Sequence, residues 1–70
     1  MKLSARNQLP AKVVNVVHGA VNSEVVLEVA EGVQVVAVIT KHSAESLNLQ
    51  VGSEVYAVIK ASNVMIATDD

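Results

Sequence analysis

Seventy residues, 51% of them hydrophobic but only 1% aromatic, allow a single domain with a modest core built from β-branched aliphatics, chiefly valine, a composition that favours strands. The formal net charge of −2 and the lone aromatic, Tyr56, argue against a nucleic-acid partner, which wants a basic face and a stacking platform, but leave open a small anion held by local donors and one or two cations. There is no cysteine, hence no disulfide framework or thiolate metal site, and no apolar run suited to a secretory signal or a membrane span, so a soluble cytoplasmic protein is expected.

The chain opens on Leu3-Ser4-Ala5-Arg6-Asn7-Gln8-Leu9, in which a hydroxyl, a cation and two amides lie between apolar anchors. Small residues leave the backbone N–H groups approachable, and Ser4 and Arg6 add side-chain donors, so the segment has the makings of half an anion site. Leu9-Pro10 ends it, and the run from Ala11 to His18 reads as a new strand. Gly19-Ala20 and Asn22-Ser23 follow as turn-like pairs. From Glu24 to Ala30 the alternation is clear, with Val25, Leu27 and Val29 on one face.

Glu31-Gly32 then predicts a tight hairpin into a second valine-rich strand, Val33 to Thr40. Beyond it, Ser43 is expected to cap one helical turn that buries Leu47 or Leu49. Gln50 to Ser53 reads as a turn, Glu54 to Lys60 as the fourth strand, and Val64 to Ala67 as a short fifth, with a solvated tail behind it. The fold class expected is all-β: five strands and one short helix in a small Greek-key barrel of the oligonucleotide/oligosaccharide-binding kind, with a sandwich as the alternative. If Val25, Leu27, Val29, Val33, Val35, Ala37, Ile39, Val55, Ala57 and Ile59 fill the interior, then Val26, Ala30, Val36, Val38, Tyr56 and Val58 face outward. So large an apolar exterior predicts a homo-oligomer.

The chemistry recurs at the far end of the chain. Lys60-Ala61-Ser62 again sets a cation and a hydroxyl beside a small residue at a strand end, and Thr40 ends another strand. Together with Ser4, Ala5 and Arg6 these residues offer an ammonium, three hydroxyls and several backbone N–H groups. A fully ionised tetrahedral dianion presents only acceptors, and a pocket of donors suits it. Ser4, Ser43 and Ser62 have no evident histidine and carboxylate partners for nucleophilic catalysis, the three glycines form no phosphate loop, and the two histidines lack a third ligand for a metal site. No enzymatic activity is expected.

Ser4-Ala5-Arg6-Asn7-Gln8-Leu9, Ala37-Val38-Ile39-Thr40 and Val58-Ile59-Lys60-Ala61-Ser62 resemble the molbindins, the small molybdate- and tungstate-binding Mop proteins, and the likeness covers essentially the whole chain as one free-standing Mop domain, residues 1–70. The resemblance implies a five-stranded barrel assembled as a homo-hexamer, with molybdate or tungstate bound at subunit interfaces and a role in storage. It places Ser4, Ala5, Arg6, Thr40, Lys60 and Ala61 in the principal pocket, with Ser62 adjacent. A secondary oxyanion site is expected at the turn His18-Gly19-Ala20-Val21, where the family commonly has a lysine in place of His18. The alternative is a barrel that binds single-stranded nucleic acid or a protein partner, and the missing aromatics count against the nucleic-acid version.

Overall fold

In a computed structural model that describes residues 1–69, the chain forms one antiparallel sheet of four strands. They are β1 (Asn7–His18), β2 (Asn22–Ala30), β3 (Val33–Thr40) and β4 (Glu54–Ile59), in the spatial order β3-β2-β1-β4. One short helix, α1 (Lys41–Ser46), lies between β3 and β4, and a single 3-10 turn, Ala61–Asn63, follows β4. The all-β class and the lone helix agree with the sequence. The fifth strand does not form.

β1 organises the sheet because it serves two neighbours in succession. Its first half, Asn7 to Lys12, pairs with β4, and its second half, Lys12 to His18, pairs with β2. A register shift between Val13 and Asn15 marks the changeover, and a bulge of this kind bends a strand and increases its twist. Pro10 falls within β1 instead of ending an element. That section of the strand has a neighbour on one side only, where a residue lacking an N–H is tolerated. At the bend, Val13 is fully buried, its N–H donates to Ser53 O (2.9 Å), and its carbonyl accepts from Gly52 N (2.8 Å).

The core is Val13, Val25, Leu27 and Ala57, with Val16, Val29, Ile39, Leu49 and Val55 packed around them. The period-two reading of β2 therefore holds at Val25 and Leu27. It misses Val13, the most buried of all, and it places Val33 inside, where the structure leaves it exposed beside the turn. That turn is Glu31-Gly32, with Gly32 at φ 75°, a backbone region that favours glycine. The helix is capped by Thr40, whose Oγ1 accepts from Ser43 N (3.0 Å), and not by Ser43. It buries Ala44, leaves Leu47 exposed and Leu49 half-buried.

Residues 64–69 pair with no strand of their own chain, and Met65 and Ile66 are 93% and 92% exposed. The segment is strand-forming in composition, but on leaving the 3-10 turn it does not fold back against β4. The consequence is a four-stranded sheet that does not close, where five strands in a barrel were expected. β3 and β4 are both sheet edges, and an apolar groove of about 300 Å³ runs between them, walled by Val35, Ala37 and Ile39 on one side and Ala57, Val58 and Ile59 on the other.

Candidate functional site

The two ends of β1 carry the two clusters of interest. At its N-terminal end, Asn7 pairs with Ile59, so the segments flanking that pair, residues 4–6 and 60–63, are brought side by side. They line a depression of about 700 Å³ with Ser4, Ala5, Arg6, Val58, Lys60, Ala61, Ser62 and Asn63 on its walls. Six of the seven residues proposed from sequence for the principal pocket meet here. Two further wall residues, Val58 and Asn63, were not among the proposed site residues, although Val58 stands two residues before Lys60 and Asn63 directly after Ser62.

The chemistry of the depression is one-sided. Among its described lining residues there are two cations, Arg6 and Lys60, and no carboxylate, in a chain whose net charge is −2. The hydroxyls of Ser4 and Ser62 and the amide of Asn63 add neutral donors. Among the described residues, the backbone N–H groups of Ser4, Ala5, Arg6, Ala61 and Ser62 make no hydrogen bond within the chain, because the ladder starts only at Asn7 and the 3-10 turn uses the amide of Asn63 (to Lys60 O, 2.9 Å). The depression is also far wider than one tetrahedral oxyanion and open to solvent.

The seventh residue, Thr40, lies elsewhere. It pairs with Asn22, next to Ser23, which pairs with His18 at the opposite end of β1. Twelve residues at about 3.3 Å each make β1 comparable in length with the 39 Å longest dimension of the molecule, so Thr40 does not reach the depression of its own chain. Its hydroxyl is engaged locally, accepting from Ser43 N and donating to Ser43 Oγ (2.8 Å).

The secondary-site turn, His18 to Val21, shares this end with Thr40. Gly19 N donates to Asn22 O (2.8 Å), and a Cβ on Gly19 would stand 2.8 Å from that same oxygen, so the turn admits no side chain there. Val21 O accepts from Lys41 N (2.7 Å), tying the turn to the helix. His18 Nδ1 lies 2.7 Å from Ser23 Oγ, which satisfies a serine that is otherwise buried in the sheet. The amides of Ala20 and Val21 have no acceptor among the described residues. Among the described residues, no three His, Cys, Asp or Glu side chains gather as a metal site would require, and no helix is long and apolar enough to cross a membrane.

Comparison with known proteins matches this architecture throughout. Residues 3–66 match the TOBE domain. The chain is 52% identical over 66 residues to molybdenum-pterin-binding protein 3 of Clostridium pasteurianum, covering 94% of this chain and 97% of that one. Its fold superposes on MopII from Clostridium pasteurianum with a TM-score of 0.89 at 45% identity, covering 96% of this chain and all of that one. It superposes likewise on a molybdate-binding protein from Sporomusa ovata, with a TM-score of 0.90 at 37% identity, covering 97% of this chain and all of that one. Identity at this level over nearly the full length of both partners, carried on the same strand framework, places the chain in the TOBE-domain family of molybdenum-pterin-binding (Mop) proteins.

Proposed function

We propose that this protein binds molybdate or tungstate as the free dianion in the depression between residues 4–6 and 60–63. The observation that carries the reading is the wall itself: Arg6, Lys60, two hydroxyls and five unpaired backbone amides with no carboxylate among the described lining residues. Charge-assisted hydrogen bonds from such donors are about twice as strong as neutral ones, and an anion that never needs a donor in return takes full advantage of them. Phosphate, protonated part of the time near neutral pH, fits less well. No step in this function requires catalysis; the role is capture and storage in the cytoplasm.

The binding unit in this reading is a homo-oligomer, a hexamer as the resemblance implies. Two features support assembly. Val36 and Val38 on β3 and Tyr56 and Val58 on β4 are exposed beside an apolar groove between unpaired edges, and residues 64–66 (Val, Met, Ile) of each chain lie unpaired in water. Burying three such side chains is worth about 1.5–3 kcal/mol each, and a groove flanked by two strand edges accepts an extended apolar segment. The C-terminal segment of a second copy satisfies both needs. Assembly also offers the depression its missing wall, with Thr40 of a neighbouring copy as the added hydroxyl. His18 to Val21, with two free amides, is the proposed secondary oxyanion site.

Native mass spectrometry with and without sodium molybdate tests both halves at once. The expected result is a hexamer whose mass rises by an integral number of oxyanions, with sulfate as the control for size and phosphate as the control for protonation. A monomer that takes up no anion would overturn the reading.

A further inference from the structure

We infer that Gln8, which does not line the depression, is a positioning residue that aims the Arg6 backbone N–H at the bound oxyanion. The inference rests on the anion-binding reading above. The two walls of the depression are fastened very differently. Residues 60–63 are folded by their own backbone, through Asn63 N to Lys60 O and Val64 N to Ala61 O (3.3 Å). Residues 4–6 precede the first ladder pair, Asn7 with Ile59, and no backbone hydrogen bond holds them among the described residues. Their one internal fastening is a side chain. Gln8 Nε2 donates to Ala5 O at 2.8 Å, in a half-buried setting, from a residue whose own backbone pairs with Val58 of the same depression.

That bond fixes more than a loop. A trans peptide unit is planar, with the N–H of one residue directed opposite to the C=O of the residue before it. Every peptide bond described here is trans. Holding Ala5 C=O toward Gln8 therefore turns Arg6 N–H away from Gln8. It also occupies a carbonyl on this wall whose negative end would otherwise be free to turn toward an anion. Arg6 thereby contributes a backbone donor in addition to its guanidinium, and the donor is set before the ligand arrives. Preorganisation of this kind raises affinity by removing the cost of ordering the segment on binding.

The experiment compares the unaltered full chain with Gln8→Met, which keeps the length of the side chain and removes the donor, using calorimetric titration with sodium molybdate and amide spectra of ¹⁵N-labelled protein. Gln8→Met is expected to raise the dissociation constant about five- to tenfold, the loss corresponding to one net hydrogen bond, with the assembly state unchanged. The Arg6 amide resonance should shift strongly on molybdate addition in the unaltered protein and much less in the variant. An affinity within twofold of the unaltered chain, together with the same Arg6 shift, would overturn the inference. So would an Arg6 amide that does not respond to molybdate in the unaltered protein, a result independent of whether the variant folds. An unaltered chain that gives no heat with molybdate would overturn the functional reading itself, and is thereby told apart from a failure of Gln8 alone.

Discussion

The two ends of β1 are made of similar residues and are finished in opposite ways. At the hairpin end, His18 is bonded to Ser23, Gly19 to Asn22, Lys41 to Val21, and Thr40 to Ser43, so the polar groups largely answer one another inside one chain. At the other end, Ser4, Arg6, Lys60 and Ser62 line a shared hollow, and among the described residues five backbone amides of its lining segments have no acceptor in the chain. Unanswered donors at an exposed surface cost little, since water satisfies them, and they become valuable when a ligand or a neighbouring chain replaces that water. The contrast separates residues that hold the fold from residues available for binding, even where both sets contain serine and lysine.

The sharpest way to break this contrast is to stop a second chain from arriving. Ile66→Asp puts a charge on the segment proposed to enter the groove between β3 and β4, and the expected outcome is a monomer by light scattering that binds molybdate at least tenfold more weakly, about 1.4 kcal/mol or more. A monomer that keeps its affinity would show that the open end is already complete in one chain, and a variant that still assembles would show that Ile66 does not carry the contact. Within the depression, Lys60→Ala is expected to weaken molybdate binding by roughly 1.5–3 kcal/mol, the range for a hydrogen bond to a charged group, with little change in melting temperature. The smallest effect tests the hairpin end. Thr40→Val removes the helix cap and should lower stability by about 1 kcal/mol in denaturant titration, while Thr40→Ser, which keeps the hydroxyl, should not. If Thr40 also completes a neighbour's pocket, Thr40→Val alone of the two loses affinity for molybdate.

Much of this arrangement was legible in the residues. The alternation of β2, the Glu31-Gly32 turn and the short helix follow from local periodicity and turn chemistry, and six of the seven pocket residues meet because β1 and β4 pair in the register that sets Asn7 against Ile59. What escaped was non-local. Val13 carries no pattern of its own within a run of valines, and its burial depends on the bend that lets residues 52 and 53 clasp it. Thr40 ends a strand, but local sequence did not show that its hydroxyl also caps the helix that follows, or that it lies at the other end of β1 from residues 4–6 and 60–63. The run from Val64 to Ala67 is apolar and β-branched enough to read as a strand, but sequence periodicity reports a wish to join a sheet without naming whose sheet it is.

The changeover at Val13 has a consequence for how the molecule comes apart. Each half of β1 has a different neighbour, and the only position paired on both sides is Lys12, immediately before the buried valine. Opening the pocket end by peeling β4 away also releases Ser53 and Gly52 from Val13, and with them the packing against Val25 and Leu27 that holds the hairpin end. The two ends differ in chemistry yet lose their structure together, as one cooperative unit, so the amide of Val13 should exchange with solvent only at the rate of global unfolding.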